Sequence, residues 1–457
     1  LVSALFMFLS VLVSIYYGFD DAFFPLVISC IITSIVGAFP FIFVRTAEPL
    51  TTLRGGYVTI VASWSLSFVF GMLPYVLYGG EFTLANAWFE SVSGYTTTGA
   101  SILNDIEALP KSLLFWRSST HFIGGLGVVV FLLLVIPSAS PYKSRLTNLE
   151  ISSLSREGYR YRSSQTVTVI VMVYVILNIL AFVCYMLCGM TLFEAINHAF
   201  SVAATGGFST KNGSIGAFDS VGVDIVTMIF MILASLHFGL IYSTVASGRF
   251  RTLLTPAFKY FMGFLAVAVV LVFISLNVHP AEGSTVGSRF LESAFTVVSY
   301  ATTSGLGISD NTHWPAVACI LLMLASLQCG CAGSTTGGIK ADRVVLAYNA
   351  AIVQIRRMAN PNSVSQIKYG KEPVEDSRIQ NVLVFIFVYI ALLFVSILCL
   401  YAMGLDSVEA ISGSICSLGN VGSALGAISL GGNYSSLPNA AKLLMSFNMF
   451  LGRIEIY

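Results

Sequence analysis

The chain has 457 residues, of which 56% are hydrophobic and only 10% charged, with a formal net charge of +1. Soluble domains carry about 25% charged residues, so this composition and a mean hydropathy of +0.84 exclude a soluble enzyme, a disordered chain and a disulfide-stapled secreted domain. The balanced charge leaves no general basic excess for nucleic acid, and a lipid bilayer is the expected surrounding.

Apolar runs long enough to cross a membrane are expected at 1–16, 24–44, 57–78, 112–136, 167–187, 224–245, 256–278, 314–349, 381–403 and 437–457. The run at 314–349 is too long for one span and is broken internally. No basic segment precedes the first run, so no cleavable signal peptide is expected. Lys143, Arg145, Arg156, Arg160 and Arg162 share one loop, and Arg356, Arg357, Lys368, Lys371 and Arg378 share another. Arg45, Arg54, Arg249, Arg251 and Lys259 fall on the same side. The positive-inside rule puts these loops in the cytoplasm and the Gly/Thr-rich loops outside. The eight cysteines lie in apolar or small-residue stretches. Even Cys329 and Cys331 read as packing residues rather than a soft-metal site.

The outer loops carry an internal repeat. Segments 84–99, 192–207, 290–305 and 407–422 align without a gap, each a short amphipathic helix followed by small residues and a glycine. The repeating unit is span, half-length helix, glycine loop, span. Position three of each unit is Asn86, Glu194, Glu292 or Glu409. An acid there either meets the positive end of the helix dipole or helps gather cations at a vestibule. A helix of about twelve residues is too short to cross a bilayer. These segments must re-enter, and non-helical backbone at membrane depth survives only when buried in protein or lining a water-filled cavity.

The loops read Thr96-Thr97-Thr98-Gly99, Ala204-Thr205-Gly206-Gly207, Thr302-Thr303-Ser304-Gly305 and Gly419-Asn420-Val421-Gly422. Glycine and small residues allow a partly left-handed path that turns carbonyls inward. Rings of carbonyls can replace a cation's hydration shell. The side-chain oxygens of Thr97, Thr205, Thr303 and Asn420, two residues before each glycine, either add ligands or brace the loop.

In plan and in motif the chain resembles the Trk/Ktr/HKT superfamily of potassium transporters, and its bacterial Trk branch in carrying an extra N-terminal hairpin. The motifs are TTTGAS (96–101), ATGGFST (204–210), TTSGLG (302–307), NVGSALG (420–426), CAGSTTGGIK (331–340) and LGRIE (451–455). The resemblance implies an all-α polytopic membrane protein: four tandem span–pore-loop–span repeats around one pseudo-fourfold pore, plus the two-helix hairpin. The divisions would be 1–50 for the hairpin, then 51–140 (pore loop 84–101), 141–248 (192–210), 249–360 (290–307) and 361–457 (407–426). It further implies potassium uptake across a bacterial inner membrane and a homodimer with one pore per subunit. A cytosolic nucleotide-binding regulatory ring, TrkA-like, would dock on the basic loops 143–162 and 356–378. No cofactor is implied; K⁺ is the transported ion.

Carried over, the filter residues are Thr97, Thr98, Gly99, Thr205, Gly206, Gly207, Thr303, Ser304, Gly305, Asn420, Val421 and Gly422. The fourth loop departs most from the Thr-rich pattern, so fourfold symmetry is not expected. Gly330, Gly333, Gly337 and Gly338, with Ser334, Thr335 and Thr336 between them, break the third repeat's second span. Each interior glycine costs a helix about 1 kcal/mol. This segment is read as a flexible intramembrane gate below the filter, with Lys340 at its inner mouth. Arg453, inside the last apolar run, either snorkels or holds that loop across the pore through its carbonyls. The five histidines read as packing residues, although Arg117 and His121 sit one turn apart. The alternative transport reading is a symporter coupling K⁺ to H⁺ or Na⁺ by alternating access. Parallel rather than inverted repeats argue against it. Nothing in the spans supplies a catalytic group, so the chain is not read as an enzyme.

Overall fold

The computed structural model describes residues 1–44, 53–135, 163–278, 280, 283–360, 366–370, 372–429 and 432–454. The basic run at 143–162, Arg45 and Lys371 lie outside them. The first helices are α1 (Val2–Tyr16), α2 (Phe23–Phe43), α3 (Leu53–Gly71) and α4 (Leu73–Tyr78). A half-helix α5 (Leu84–Tyr95) and a long α6 (Lys111–Val135) follow. The same order recurs with α7 (Ser163–Leu187), α8 (Leu192–Ala203), α9 (Val221–Ala234) and α10 (Phe238–Ser247). It recurs again with α11 (Pro256–Val278), α12 (Val286–Ala301), α13 (Ala316–Gln328) and α14 (Ala341–Ala359). A two-residue hairpin, β1 (Lys368–Tyr369) and β2 (Glu372–Pro373), precedes α15 (Asp376–Ala402), α16 (Ser407–Gly419) and α17 (Asn439–Arg453).

Among the described residues, five helical segments have the length and hydropathy to cross a membrane unaided, those at Phe23–Phe43, Val58–Tyr78, Thr168–Leu187, Pro256–Val278 and Asp376–Ala402. Each expected run contains helix among its described residues, but several depart from a simple span. The run at 224–245 bends by 98° between α9 and α10, at residues 235–237. The run at 314–349 is split into α13 and α14 by twelve non-helical residues, 329–340. The first is a 15-residue helix.

The half-helices start on side-chain caps. Thr83 accepts from Asn86, Thr191 forms a capping box with Glu194, and Thr285 forms one with Ser288. Asp406 accepts from the Val408 amide. Such caps satisfy amides that the helix itself cannot. Glu194 thereby acts at its helix terminus. Glu292 does not, because α12 begins four residues earlier than the aligned unit, at Val286.

Each half-helix packs against a neighbouring longer helix on either side. The contacts run α5–α6–α8–α9–α12–α13–α16–α17 and back to α5, a closed ring. The outer helices α1, α2, α7, α11 and α15 turn large apolar side chains outward, among them Phe24, Ile35, Ile179, Val267 and Phe387. The inner ring instead buries serines and threonines, including Ser91, Ser93, Ser201, Ser299 and Ser414. Apolar outside and polar within is the arrangement of a protein whose solvent is lipid.

Candidate functional site

The four half-helices end in one motif. The amides of Thr98, Gly206, Ser304 and Val421 each donate to the carbonyl five residues back, at Ser93, Ser201, Ser299 and Cys416, over 2.8–2.9 Å. The preceding amides, of Thr97, Thr205, Thr303 and Asn420, each donate three residues back. This is the Schellman pair of bonds, which requires a left-handed residue just past the helix. Thr97, Thr205, Thr303 and Asn420 occupy it at φ of +52° to +56°. Glycine would adopt that conformation freely. A β-branched threonine does so at a cost of roughly 1–3 kcal/mol, and such strain concentrates at functional sites.

Two residues on, Gly99, Gly207, Gly305 and Gly422 have φ of +81°, +87°, +64° and +81°. Here no other residue fits, for a second reason. A Cβ on Gly99 would collide with the Gly206 carbonyl oxygen, one on Gly207 with Ser304, one on Gly305 with Val421, and one on Gly422 with Thr98. Each glycine therefore abuts the carbonyl just before the next repeat's glycine, and the series returns to its start. All four glycines also line one cavity of about 180 Å³, with Ser101, Ser209, Ser423 and Tyr434 above them. Around its rim Asp105 accepts from the Asn212 amide at 2.8 Å, and that bond holds the Asp105 carboxyl below the usual carboxylate range.

The loops are not equivalent. Ser93 and Ser299 donate their hydroxyls to the carbonyls of Ala100 and Leu306, and the Cys416 thiol donates to Ser423. Thr96 and Thr98 hydroxyls pair at 2.8 Å, and those of Thr302 and Ser304 at 3.2 Å. Asn420 donates its side-chain amide to Thr98 Oγ1 (3.0 Å) and to the Met449 carbonyl (2.8 Å), so its nitrogen is a brace. The Gly422 carbonyl accepts from the Tyr434 hydroxyl at 2.7 Å. Nothing in the sequence pointed to Tyr434. Thr97 Oγ1 is buried with no hydrogen-bond partner among the described residues.

The broken segment 329–340 sits against the opposite side of this ring. Thr335 Oγ1 donates to the Ala203 carbonyl (3.3 Å), and the Gly337 amide donates to Thr303 Oγ1 (3.4 Å). A Cβ on Gly337 would meet the Gly419 carbonyl and Asn420 Oδ1. These contacts fall on residues before the glycines, whereas the cavity is lined by the glycines and residues after them. Arg453 is buried, donating to the carbonyls of Thr335 (2.6 Å) and Gly124 (3.0 Å). Gly333 and Gly338 have φ of +77° and +69°. Ser334 bonds Cys331 and Thr336 within the loop, and Gly330 lies against Ser235. Lys340 closes the segment at φ +71°, and next to it Asp342 receives the Ala332 amide (2.6 Å) and the Tyr369 hydroxyl (2.7 Å). The structure thus brings together Arg453, the broken segment and the loop residues Ala203, Thr303 and Asn420, which lie far apart in sequence.

A further group was missed by sequence reasoning. Glu90, on α5, is wholly buried and pairs with Arg117 on α6 at 2.7 Å. A single charged residue in an otherwise uncharged half-helix was the available signal.

Comparison with known proteins follows the same lines. Residues 23–457 match the model of the TrkH family, described as cation transport protein. A Trk system potassium uptake protein TrkH from Halomonas elongata is 32% identical over 98% of this chain and 92% of its own length. The protein of that name from Escherichia coli K12 is 31% identical over 88% of this chain and 84% of its own. The crystal structure of the potassium transporter TrkH from Vibrio parahaemolyticus superposes with a TM-score of 0.88 at 29% identity, covering 99% of this chain and 94% of that one. The chain belongs to the TrkH family of cation transport proteins, which are transporters and not enzymes.

Proposed function

We propose that the chain is the membrane subunit of a potassium uptake system, carrying K⁺ through a single pore at the centre of its four repeats. The cyclic abutment of Gly99, Gly207, Gly305 and Gly422 on the next repeat's carbonyl carries this reading. Main-chain oxygens so close-set can stand in for water around a monovalent cation. The loop residues themselves carry no charged side chain, so an ion is held without being trapped. The half-helices point their C-terminal, partly negative ends at the same place. The repeat boundaries are those of the sequence motifs, with Thr97, Thr98, Gly99, Thr205, Gly206, Gly207, Thr303, Ser304, Gly305, Asn420, Val421 and Gly422 as the filter.

Residues 330–340 are the gate in this reading. The segment seals the inner side of the filter, and the Arg453 guanidinium both ties it down and adds a positive charge to the cation's route. In the family's manner the chain would work as a homodimer in the bacterial inner membrane. A cytosolic nucleotide-binding ring would dock on its basic face, which includes the exposed Arg356, Arg357 and Lys368.

Flux of ⁸⁶Rb⁺ into proteoliposomes, competed by K⁺ or Na⁺, tests the proposal. Gly99→Ser is expected to abolish the preference for K⁺. A variant that transports with unchanged preference would overturn the filter assignment. Saturation strictly coupled to an H⁺ or Na⁺ gradient would replace the pore with a symporter.

A further inference from the structure

The buried Glu90–Arg117 pair lies outside every role given above, and its bonds have a common destination. Arg117 donates from Nε to Glu90 Oε1 (2.7 Å), from Nη2 to Ser101 Oγ (3.1 Å) and from Nη1 to the Ser209 carbonyl (3.3 Å). Glu90 accepts the Ser101 hydroxyl (3.1 and 3.2 Å) and the Ile102 amide (3.1 Å). The guanidinium also lies 3.9 Å over the Phe208 ring, whose other neighbour is the stacked His121 ring at 4.1 Å. Ser101 and Ile102 follow Gly99 by two and three residues, and Phe208 and Ser209 follow Gly207 by one and two. Apart from His121, every partner belongs to the outer half of the first or second loop.

The repeat alignment sharpens the point. Glu90 is the seventh residue of its unit, and His198 is the seventh of the second unit. His198 Nε2 bonds Ser209 Oγ at 2.9 Å, the counterpart of Glu90 on Ser101. The third and fourth units have Thr296 and Gly413 there, neither of them charged. An ion pair at this depth is costly unless every atom is engaged. Apolar residues would fill the same space more cheaply, so stability alone does not account for it.

We propose that Glu90 and Arg117 are positioning residues for ion selection, holding the first and second loops at one fixed separation, whereas the described bonds of the third and fourth loops join neutral groups. This deepens the filter reading and rests on it. The planar guanidinium is suited to the task, because its three nitrogens reach a carboxylate, a hydroxyl and a carbonyl at once. A lysine ammonium keeps the charge but cannot span the three. Glu90 also neutralises Arg117, which would otherwise place a bare cation behind the ion's path.

The test measures ⁸⁶Rb⁺ uptake by the full chain in proteoliposomes, competed by K⁺ and by Na⁺. Arg117→Lys and the charge-neutral pair Glu90→Gln with Arg117→Met are compared with Gly207→Ala. The neutral pair avoids the stranded charge that a single replacement leaves. Both are expected to lower the K⁺/Na⁺ discrimination by about tenfold, the change that 1.4 kcal/mol of preferential stabilisation makes. A merely structural pair would lower the melting temperature and leave the discrimination of the folded fraction unaltered, and that result would overturn the inference. Should Gly207→Ala also leave discrimination unaltered, the filter reading itself would fall.

Discussion

Gly207 and Gly189 offer a matched pair for separating backbone strain from filter geometry. Both have left-handed backbones, at φ +87° and +93°, and both lie in the second repeat. Replacing either by alanine costs roughly 1–2 kcal/mol of conformational strain. At Gly189 nothing lies within 4 Å of the new Cβ, whereas at Gly207 the Ser304 carbonyl oxygen lies 2.5 Å away. A carbon–oxygen contact settles at about 3.3 Å, so that oxygen must retreat by ~0.8 Å. For roughly half an electronic charge on the oxygen, an ion about 2.8 Å away and an effective dielectric near 20, the retreat weakens the attraction by about 0.7 kcal/mol. That corresponds to about a threefold loss of apparent Rb⁺ affinity from one oxygen. The assay is concentration-dependent ⁸⁶Rb⁺ uptake, normalised to folded protein, with melting of the detergent-solubilised variants alongside. A lower melting temperature in Gly207→Ala, from the clash with the Ser304 carbonyl, and weakened Rb⁺ uptake per folded protein in Gly207→Ala alone are the expected results. Equal transport losses in both, or in neither, would refute the argument that the glycine ring meets the ion.

Two further substitutions would separate the proposed filter from the proposed gate. Tyr434→Phe removes the hydroxyl held by the Gly422 carbonyl. It should cost about 0.5–1.5 kcal/mol of stability and make Na⁺ a better competitor of Rb⁺ uptake; an unchanged competition curve would count against that bond as a filter support. Tyr369→Phe removes the hydroxyl on Asp342, whose other oxygen holds the Ala332 amide. It should raise basal Rb⁺ flux while the K⁺/Na⁺ preference stays at the parental value, and a changed preference would argue that the segment shapes the filter rather than the gate.

The sequence carried the half-helices and the glycines well, for a local reason. Cap, amphipathic run, left-handed residue and glycine all lie within about sixteen consecutive residues, and four copies reinforce one another. The break in the third repeat was legible because its four glycines lie within nine residues. The bend at 235–237 was not. Its residues, Ser235, Leu236 and His237, include neither glycine nor proline, and only the partner segment explains it. Glu90 and Tyr434 were missed for a related reason. Each acts on a loop reached through the fold, Tyr434 donating its backbone amide to Ser101 of the first repeat, and no local pattern encodes such a meeting. The aligned acids misled at Glu292, because α12 starts upstream of the shared motif.

The two interrupted helices account for one another, and that bears on how the proposed gate would open. Backbone groups away from water must be paired. The bend after α9 frees the carbonyls of Ala234 and Ser235, and these accept the amides of Thr335 (3.4 Å) and Cys331 (2.9 Å). In return the Gly333 carbonyl accepts the Phe238 amide at 3.1 Å, at the start of α10. Arg453 adds its bond to Thr335. Removing Arg453 therefore releases one of several anchors, a charged bond worth about 1.5–3 kcal/mol, and the backbone bonds to α9 and α10 persist. Arg453→Ala is expected to raise Rb⁺ flux, and deletion of residues 333–337, which removes the Thr335 and Gly333 anchors and the obstruction together, to raise it further. Quantitative stopped-time uptake ranks the two. If Arg453→Ala equals or exceeds the deletion, the barrier is the arginine's charge rather than the segment, and the gate is electrostatic.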